Sequence, residues 1–395
     1  MHIGFDVSQT GAGKAGCGYF AHALIGAMVS VAPQHRYSLY PSFGDFYFDP
    51  KMPLANPYRR KGVAYGPRHL TRESARSFWL HDDLEAALGH PDVIHSNNFW
   101  TPVQIRDSRL IYTLYDTGFA VDPDWTTEAN RIGCFEGMFR SSIAADWIVA
   151  ISESSRSCFL KMYPHFDPDR IRVIYPCSRF TDTGQQGVIP AAAKALAPNG
   201  FWLSVGTIEP RKNQRLLVEA YARYLKAGGT PMPLVLAGGK GWLMDDFVSH
   251  IAALGVSDQV ILTGYVSDDE MIWLYRNCYA NIYPSLFEGF GLPVLEGMQF
   301  GAATICSNTT SMPEVAGDAA ILLSPQAAEP WSAVMLELAA DPARRAGLRS
   351  SAQQRAAQFD WSRSAGELLA LYEQAMASPK RTMRPSARTP ERLSA

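Results

Sequence analysis

The sequence predicts an α/β protein with two open, mostly parallel sheets. Three observations carry that reading. Short β-branched runs alternate with helical patterns almost throughout. A Pro- and Gly-rich stretch interrupts the series once. The 395 residues exceed the roughly 250–300 at which a single core stops growing. Strands are expected at Ile3–Val7, Tyr37–Tyr40, Val93–His95, Arg109–Leu114, Trp147–Ile151 and Ile171–Ile174, which places a first domain over residues 1–180. Periodicity is lost after Pro176. Residues 181–200, with Gly184, Gly187, Pro190 and the run Pro198-Asn199-Gly200, read as a linker. A second series over residues 201–360 has strands at Trp202–Val205, Leu234–Ala237, Val260–Leu262, Ala280–Ile282, Thr304–Ile305 and Ala320–Leu322. Leu368, Leu369, Leu371 and Tyr372 recur at helical spacing and predict a closing helix over 361–377, packed back toward the first domain. Residues 378–395, with Lys380, Arg381, Arg384, Arg388 and Arg392 against Glu391, read as a disordered basic tail.

Composition excludes several functions. With 36 Lys and Arg against 38 Asp and Glu the formal charge is −2, which argues against a nucleic-acid partner. The composition, 47% hydrophobic and 19% charged, is that of a folded globular chain. The longest apolar stretch, Ala21 to Ala32, is broken by His22, Gly26 and Ser30 and falls short of a spanning helix. The start lacks a basic n-region, so export is not expected. The six cysteines are scattered without metal-site spacing and read as thiols of a reducing cytosol.

Two loops carry the candidate chemistry. The first, Ser285 to Met298, follows a strand and leads into a helix expected to start near Pro293. Gly289 and Gly291 let a ligand approach the backbone, and free amides at a helix start favour an anion, a diphosphate being the natural candidate. Glu288 before the turn and Glu296 in the helix supply one carboxylate for a reacting carbon and one for a sugar diol. The second loop, Gly206 to Asn213, places Arg211 and Lys212 at a strand's carboxyl edge, where a departing diphosphate needs neutralising.

These two loops, in this order, resemble the retaining glycosyltransferases of family 4, a GT-B group that includes many bacterial mannosyltransferases of surface-polysaccharide and lipopolysaccharide assembly. The similarity is strongest from Phe201 to Pro325. It implies two Rossmann-like domains facing across an interdomain cleft, with the acceptor on the first and the nucleotide sugar on the second. Carried over residue by residue, it implies that Arg211 and Lys212 bind the donor diphosphate and that Glu288 lies beside the transferred sugar. Glu296 would hold the ribose hydroxyls. Gly206 and the backbone of Gly289, Phe290, Gly291 and Leu292 would contact sugar and phosphate. Gly264-Tyr265-Val266 resembles the segment lining the base pocket, and Gly238 to Trp242 resembles the glycine-rich stretch after the preceding strand.

In the first domain, Gly16-Cys17-Gly18-Tyr19 resembles the family's glycine turn, with Cys where Ile is usual and the usual Arg missing; Gly16 and Gly18 would bring amides to a phosphate, and Lys14, which is not a family-matched position, could add charge. Relatives commonly carry His-Asp where this chain has Tyr115-Asp116. Asp116 keeps the matched position, whereas Tyr115 cannot titrate near neutral pH. His95, at a strand's carboxyl edge, reads first as a packed or merely polar residue, with a place facing the cleft as the alternative; Asn97, Asn98 and Trp100 follow it, and shaping an acceptor pocket is the lesser reading of them. Asp122-Pro123-Asp124 and Asp167-Pro168-Asp169 read as turns, and no metal or other cofactor is expected. The implied reaction is transfer of a hexose, mannose from GDP-mannose in the first instance, to a hydroxyl of a glycan or polyprenyl-linked saccharide. The alternatives are a GT-B-shaped epimerase or phosphorylase, or a silent sugar-nucleotide-binding module. A lipid-linked acceptor would bring this cytoplasmic enzyme to the inner face of an anionic membrane, with which the basic tail is compatible.

Overall fold

The computed structural model describes residues 1–11, 16–44, 46–47, 61–69, 71–181 and 183–381. Lys14, Arg384, Arg388, Glu391 and Arg392 lie outside these. The chain divides into two units. The first comprises Met1–Tyr115, Ile132–Ile174 and the chain from Trp361 onward, and the second Asp116–Arg131 and Tyr175–Asp360.

The first unit holds a seven-stranded sheet: β1 (His2–Asp6), β2 (Arg36–Tyr40), β3 (Val63–Tyr65), β4 (Val93–Ser96), β5 (Arg109–Leu114), β6 (Trp147–Ala150) and β7 (Ile171–Val173). The order is β3-β2-β1-β4-β5-β6-β7, and every pairing is parallel. β3 escapes sequence reading because three residues give no period. The helices Gly16–Val31 and Trp361–Ala377 belong to this unit and bury Phe20, Leu24, Met28, Leu368, Leu371 and Tyr372.

The second unit holds six parallel strands: β8 (Trp202–Val205), β9 (Leu234–Ala237), β10 (Val260–Gly264), β11 (Ala280–Tyr283), β12 (Thr304–Ser307) and β13 (Ile321–Leu323). Their order is β10-β9-β8-β11-β12-β13. Leu234–Ala237 is apolar throughout because both faces of the sheet are covered there. Trp202, Leu234 and Leu236 enter a core with Leu217, Tyr221, Trp331 and Met335. Leu203, Val205, Val235 and Ala237 enter the opposite core with Met271, Tyr275 and Phe300. The chain runs β8 to β10 outward and returns to pair β11 with β8. The reversal therefore falls between the carboxyl ends of β8 and β11, the position at which open α/β sheets bind ligands.

Two expectations change. Residues 181–200 do not form a bare linker. Ala193 and Leu196 are buried in the second unit's core, next to Phe180 just ahead of the segment, because small-residue composition conceals these two apolar anchors. Ser378 to Arg381, expected in a disordered tail, are instead bonded to the first unit, and the rest of that expected tail, 382–395, lies outside the described residues. Lys380 Nζ donates to the Ile105 and Ser108 carbonyls at 2.9 Å each. Arg381 donates to the Ser142 carbonyl at 2.8 Å and its guanidinium lies 4.2 Å from the Phe166 ring centre. The orphan carbonyls ending the Glu128–Ala144 helix attract that cation. Among the described residues, no helix is long and apolar enough to cross a membrane.

Leu196→Ala should cost about 2–5 kcal/mol in a urea titration, the scale for truncating a core leucine. A near-neutral change would mean that the segment is an exposed linker after all.

Candidate active site

The Gly206–Asn213 and Pro284–Gly291 loops emerge side by side where the strand order reverses. β8 ends at Val205, and a single turn of 3-10 helix, Pro210–Lys212, leads to Asn213 in the left-handed region with φ 58°. Asn213 donates its side-chain amide to the Pro284 carbonyl at 3.2 Å and the Pro325 carbonyl at 3.0 Å. The Leu286 amide and Ser285 hydroxyl donate back to the Arg211 carbonyl at 2.8 and 3.0 Å. The two loops are thereby locked as one piece.

Glu288 is the centre of that piece. Its Oε1 accepts from Lys212 Nζ at 2.6 Å, Ser285 Oγ at 2.6 Å and Tyr283 hydroxyl at 2.9 Å. Its Oε2 pairs with Arg211 at 3.1 Å. The Glu288 amide donates to Thr310 Oγ1 at 3.1 Å, and Ser311 Oγ donates to the Glu288 and Phe290 carbonyls at 2.9 and 2.8 Å. Arg211 also donates to the Phe287 carbonyl and Glu209 Oε1, each at 2.7 Å. Glu209, Tyr283, Ser285, Thr310 and Ser311 were not singled out from sequence. Only Glu209 and Ser285 lay within quoted motifs, and a buried hydroxyl has no sequence signature apart from its chemistry.

The charges are strongly coupled. Burial opposes ionisation of Glu288, but Lys212 and Arg211 outweigh it and hold the carboxyl down at about 2. Burial likewise works against the Arg211 charge, and the carboxylates of Glu288, Glu209 and Asp116 overcome it and raise its pKa. Burial pulls Lys212 below its ordinary value, and Arg211 adds to that against the pull of Glu288.

Asp116 thus reaches this site electrostatically. Its Oδ1 accepts from the Gly118 amide at 2.9 Å. The segment that follows belongs to the second unit and brings Trp125 to 5.9 Å from Phe287, ring centre to ring centre. Trp242 Nε1 donates to the Trp125 carbonyl at 2.8 Å, so Trp242 is a partly exposed clamp and not a core aromatic.

The Leu292–Gln299 helix starts one residue before Pro293. Gly291 precedes it with φ 107°, a left-handed conformation that strains any residue with a Cβ, and a Cβ there would also push Met312 Cε aside. Glu296 is 3% exposed and pairs with Arg179 at 3.4 Å, and the Tyr275 hydroxyl donates to it at 3.2 Å. Burial raises its pKa, with Arg179 opposing. Gly206, with φ 145°, lies against the Lys212 stem. Tyr265 is 79% exposed, while the Val266 side chain is buried in the core, leaving only its backbone for a ligand.

Several first-unit expectations are corrected or narrowed. Gly16 and Gly18 form the first turn of the Gly16–Val31 helix and not a loop before it; residues 12–15 lie outside the described set. His95 is fully buried. One ring nitrogen meets the Tyr372 hydroxyl and the other Thr113 Oγ1 at 2.7 Å, and burial pushes its pKa down to about 3. Asn97 and Asn98 are buried against Asp6 and Ser8, and Trp100 packs in a core with Tyr40 and Trp79. These polar side chains hold the ends of β1 and β4 together, a demand that outranks exposure. Tyr115 donates to the Cys17 carbonyl at 3.3 Å. Asp122 and Asp167 each cap a 3-10 turn. Among the described residues, no group of three His, Cys, Asp or Glu could hold a metal.

Comparison with known proteins accords with this geometry. Residues 32–177 match Glycosyltransferase Family 4, and residues 192–355 match Glycosyl transferases group 1. O-antigen chain mannosyltransferase B of Escherichia coli is 32% identical over 286 residues, 71% of this chain and 74% of that protein. The chain belongs to glycosyltransferase family 4. This family 4 glycosyltransferase is also 29% identical over 406 residues to the serotype-specific mannosyltransferase WbdA of Escherichia coli, covering 92% of itself but only 47% of that longer relative. The structure of HepE from Anabaena, in complex with UDP and glucose, superposes with a TM-score of 0.68 at 18% identity, covering 95% of this chain and 100% of that one. The fold of the glycosyltransferase is GT-B.

Because the folded pKa of Glu288 lies below the ordinary 4.5, its ionisation stabilises the fold above that pH and the contribution is lost as pH falls toward about 2. Glu288→Gln should therefore lower stability by on the order of 3 kcal/mol at neutral pH. The gap to wild type should close as urea midpoints are followed below pH 4.5.

Proposed function

We propose that this glycosyltransferase moves mannose from GDP-mannose to a hydroxyl of a glycan or lipid-linked saccharide, with retention of anomeric configuration. The observation that carries the reading is the Glu288–Lys212–Arg211 cluster at the switch point of the second sheet. The mannosyl donor is supported by similarity to the two Escherichia coli mannosyltransferases. The bond between the anomeric carbon and the diphosphate oxygen breaks, the acceptor oxygen bonds to that carbon, and the acceptor's hydroxyl proton passes to the departing diphosphate. As the first bond breaks, negative charge accumulates on the leaving diphosphate, and the two cations beside the Gly289–Leu292 backbone stabilise it without a metal ion.

Glu288 has both oxygens engaged by Lys212, Arg211, Ser285 and Tyr283, which makes it a poor nucleophile and a poor base. Its role in this reading is to fix the two cations and to place negative charge near the developing oxocarbenium ion. Glu296 accepts hydrogen bonds from the ribose diol. Asp116 biases Arg211, and the backbone around Tyr265 and Val266 borders the base. Membrane contact, where the acceptor is lipid-linked, belongs to the same proposal.

The test is product analysis. Purified protein with GDP-mannose and a mannosylated acceptor should release GDP and lengthen the acceptor by one hexose. Lys212→Ala and Glu288→Ala should each reduce transfer at least ~100-fold, the scale of losing a preorganised charged group. Turnover of UDP- or dTDP-hexoses with none of GDP-mannose would overturn the donor assignment, and near-normal turnover in both variants would remove the roles given to these residues. Thermal shift with GDP gives an independent reading, since a ligand of the native state raises the melting temperature.

A further inference from the structure

The segment Tyr175–Phe180, which enters the second unit ahead of its first strand, runs beside the Leu292–Gln299 helix and meets it or its flanks at several points. Tyr175 lies 5.9 Å from Phe290, ring centre to ring centre, and Phe180 lies 5.2 Å from Phe300. Gln299 Nε2 donates to the Phe180 carbonyl at 2.7 Å. Arg179 sits between these anchors, its guanidinium 4.7 Å from the Phe180 ring centre. Nε of Arg179 is 3.4 Å from Glu296 Oε1 and 3.6 Å from Asp268 Oδ1. The other Glu296 oxygen accepts from Tyr275.

A carboxylate that is 3% exposed cannot orient itself by hydration. Its plane is set by the groups that touch it, and here one oxygen has a cation and the other a phenol. Each oxygen keeps a second lone pair, and two such lone pairs side by side match the two hydroxyls of a cis-diol. The arrangement asks for an ionised carboxylate, because a protonated one presents a donor where a hydroxyl must donate. Arg179 serves both requirements: it holds the plane, and its charge opposes burial and the nearby negative charge of Asp268, which favour the neutral form.

We propose that Arg179 is a positioning residue for donor recognition, holding Glu296 as the oriented, ionised acceptor that distinguishes a ribonucleotide from a 2′-deoxyribonucleotide. This rests on the ribose role given to Glu296 above. Burial raises the Glu296 pKa and Arg179 opposes that rise, which is the sense the proposal requires.

The experiment is calorimetric titration of the full chain with GDP, 2′-deoxy-GDP, UDP and 2′-deoxy-UDP, using wild type, Arg179→Met, Arg179→Gln, Arg179→Lys and Glu296→Gln. Wild type should prefer the ribonucleotide by roughly 10- to 100-fold for the base it accepts, the scale of a hydrogen bond to a charged group. Glu296→Gln should lose that preference. Arg179→Met should lose most of it while binding the deoxynucleotide within about threefold of wild type, and Arg179→Lys should recover part of it. If Arg179→Met does not fold, Arg179→Gln carries the same expectation. Full preference in the folded Arg179 variant beside its loss in Glu296→Gln overturns the proposal and leaves the donor site standing. Equal weakening of both nucleotides in the Arg179 variant also overturns it, since a structural role alone would act that way. Full preference in Glu296→Gln, or no nucleotide bound by wild type, overturns the ribose reading and this proposal with it.

Discussion

Two cations and a carboxylate withdrawn from water govern the architecture of the candidate site. Moving Lys212, Arg211 and Glu288 out of solvent costs several kcal/mol per ion unless geometry and hydrogen bonding recover it. Both Glu288 oxygens are engaged, and Arg211 reaches a second carboxylate, Glu209. Such a cluster leaves little freedom to its members. The side chains that the proposed function sets against a diphosphate are therefore already oriented, and in that reading their reorganisation is completed during folding instead of during the reaction. Without a ligand the two cations face three carboxylates, those of Glu209, Glu288 and Asp116, so an arriving anion competes for partners already in place.

The polypeptide around this cluster is shaped to keep it there. The turn after β8 and the turn after β11 exchange hydrogen bonds through Asn213, Ser285 and Leu286. Thr309, Thr310 and Ser311, following β12, brace the second turn from beneath through their hydroxyls. Three consecutive strand ends thus converge on one glutamate, which is what the reversal of strand order makes geometrically available.

Strands of the second sheet were legible in the sequence because burial on both faces writes an unbroken apolar run, as in Leu234–Ala237. The chemistry was legible where charge sits in a loop between strand and helix, as with Arg211, Lys212 and Glu288. Illegible were the partners that act by position. Arg179 lies in a stretch with no period, and Tyr275 looks like an ordinary core residue of its helix. His95 and Trp100 stayed ambiguous for a related reason. A strand's carboxyl edge is where a functional side chain would sit, but it is also where the sheet must satisfy its own polar ends, and in the first unit the network of Asp6, Asn97, Thr113 and Tyr372 uses His95 for that purpose.

The chain passes from one unit to the other four times, after Tyr115, Arg131, Ile174 and Asp360. Neither unit is therefore a contiguous gene segment. A half-molecule excised at residue 200 would begin with β8 intact and carry Glu288, Arg211 and Lys212. It would lack Asp116, the Trp125 wall, the Phe180 anchor and Arg179. Swapping the first unit between such enzymes by a single splice would therefore carry parts of the second unit along with it, and a workable chimera needs junctions at all four passages.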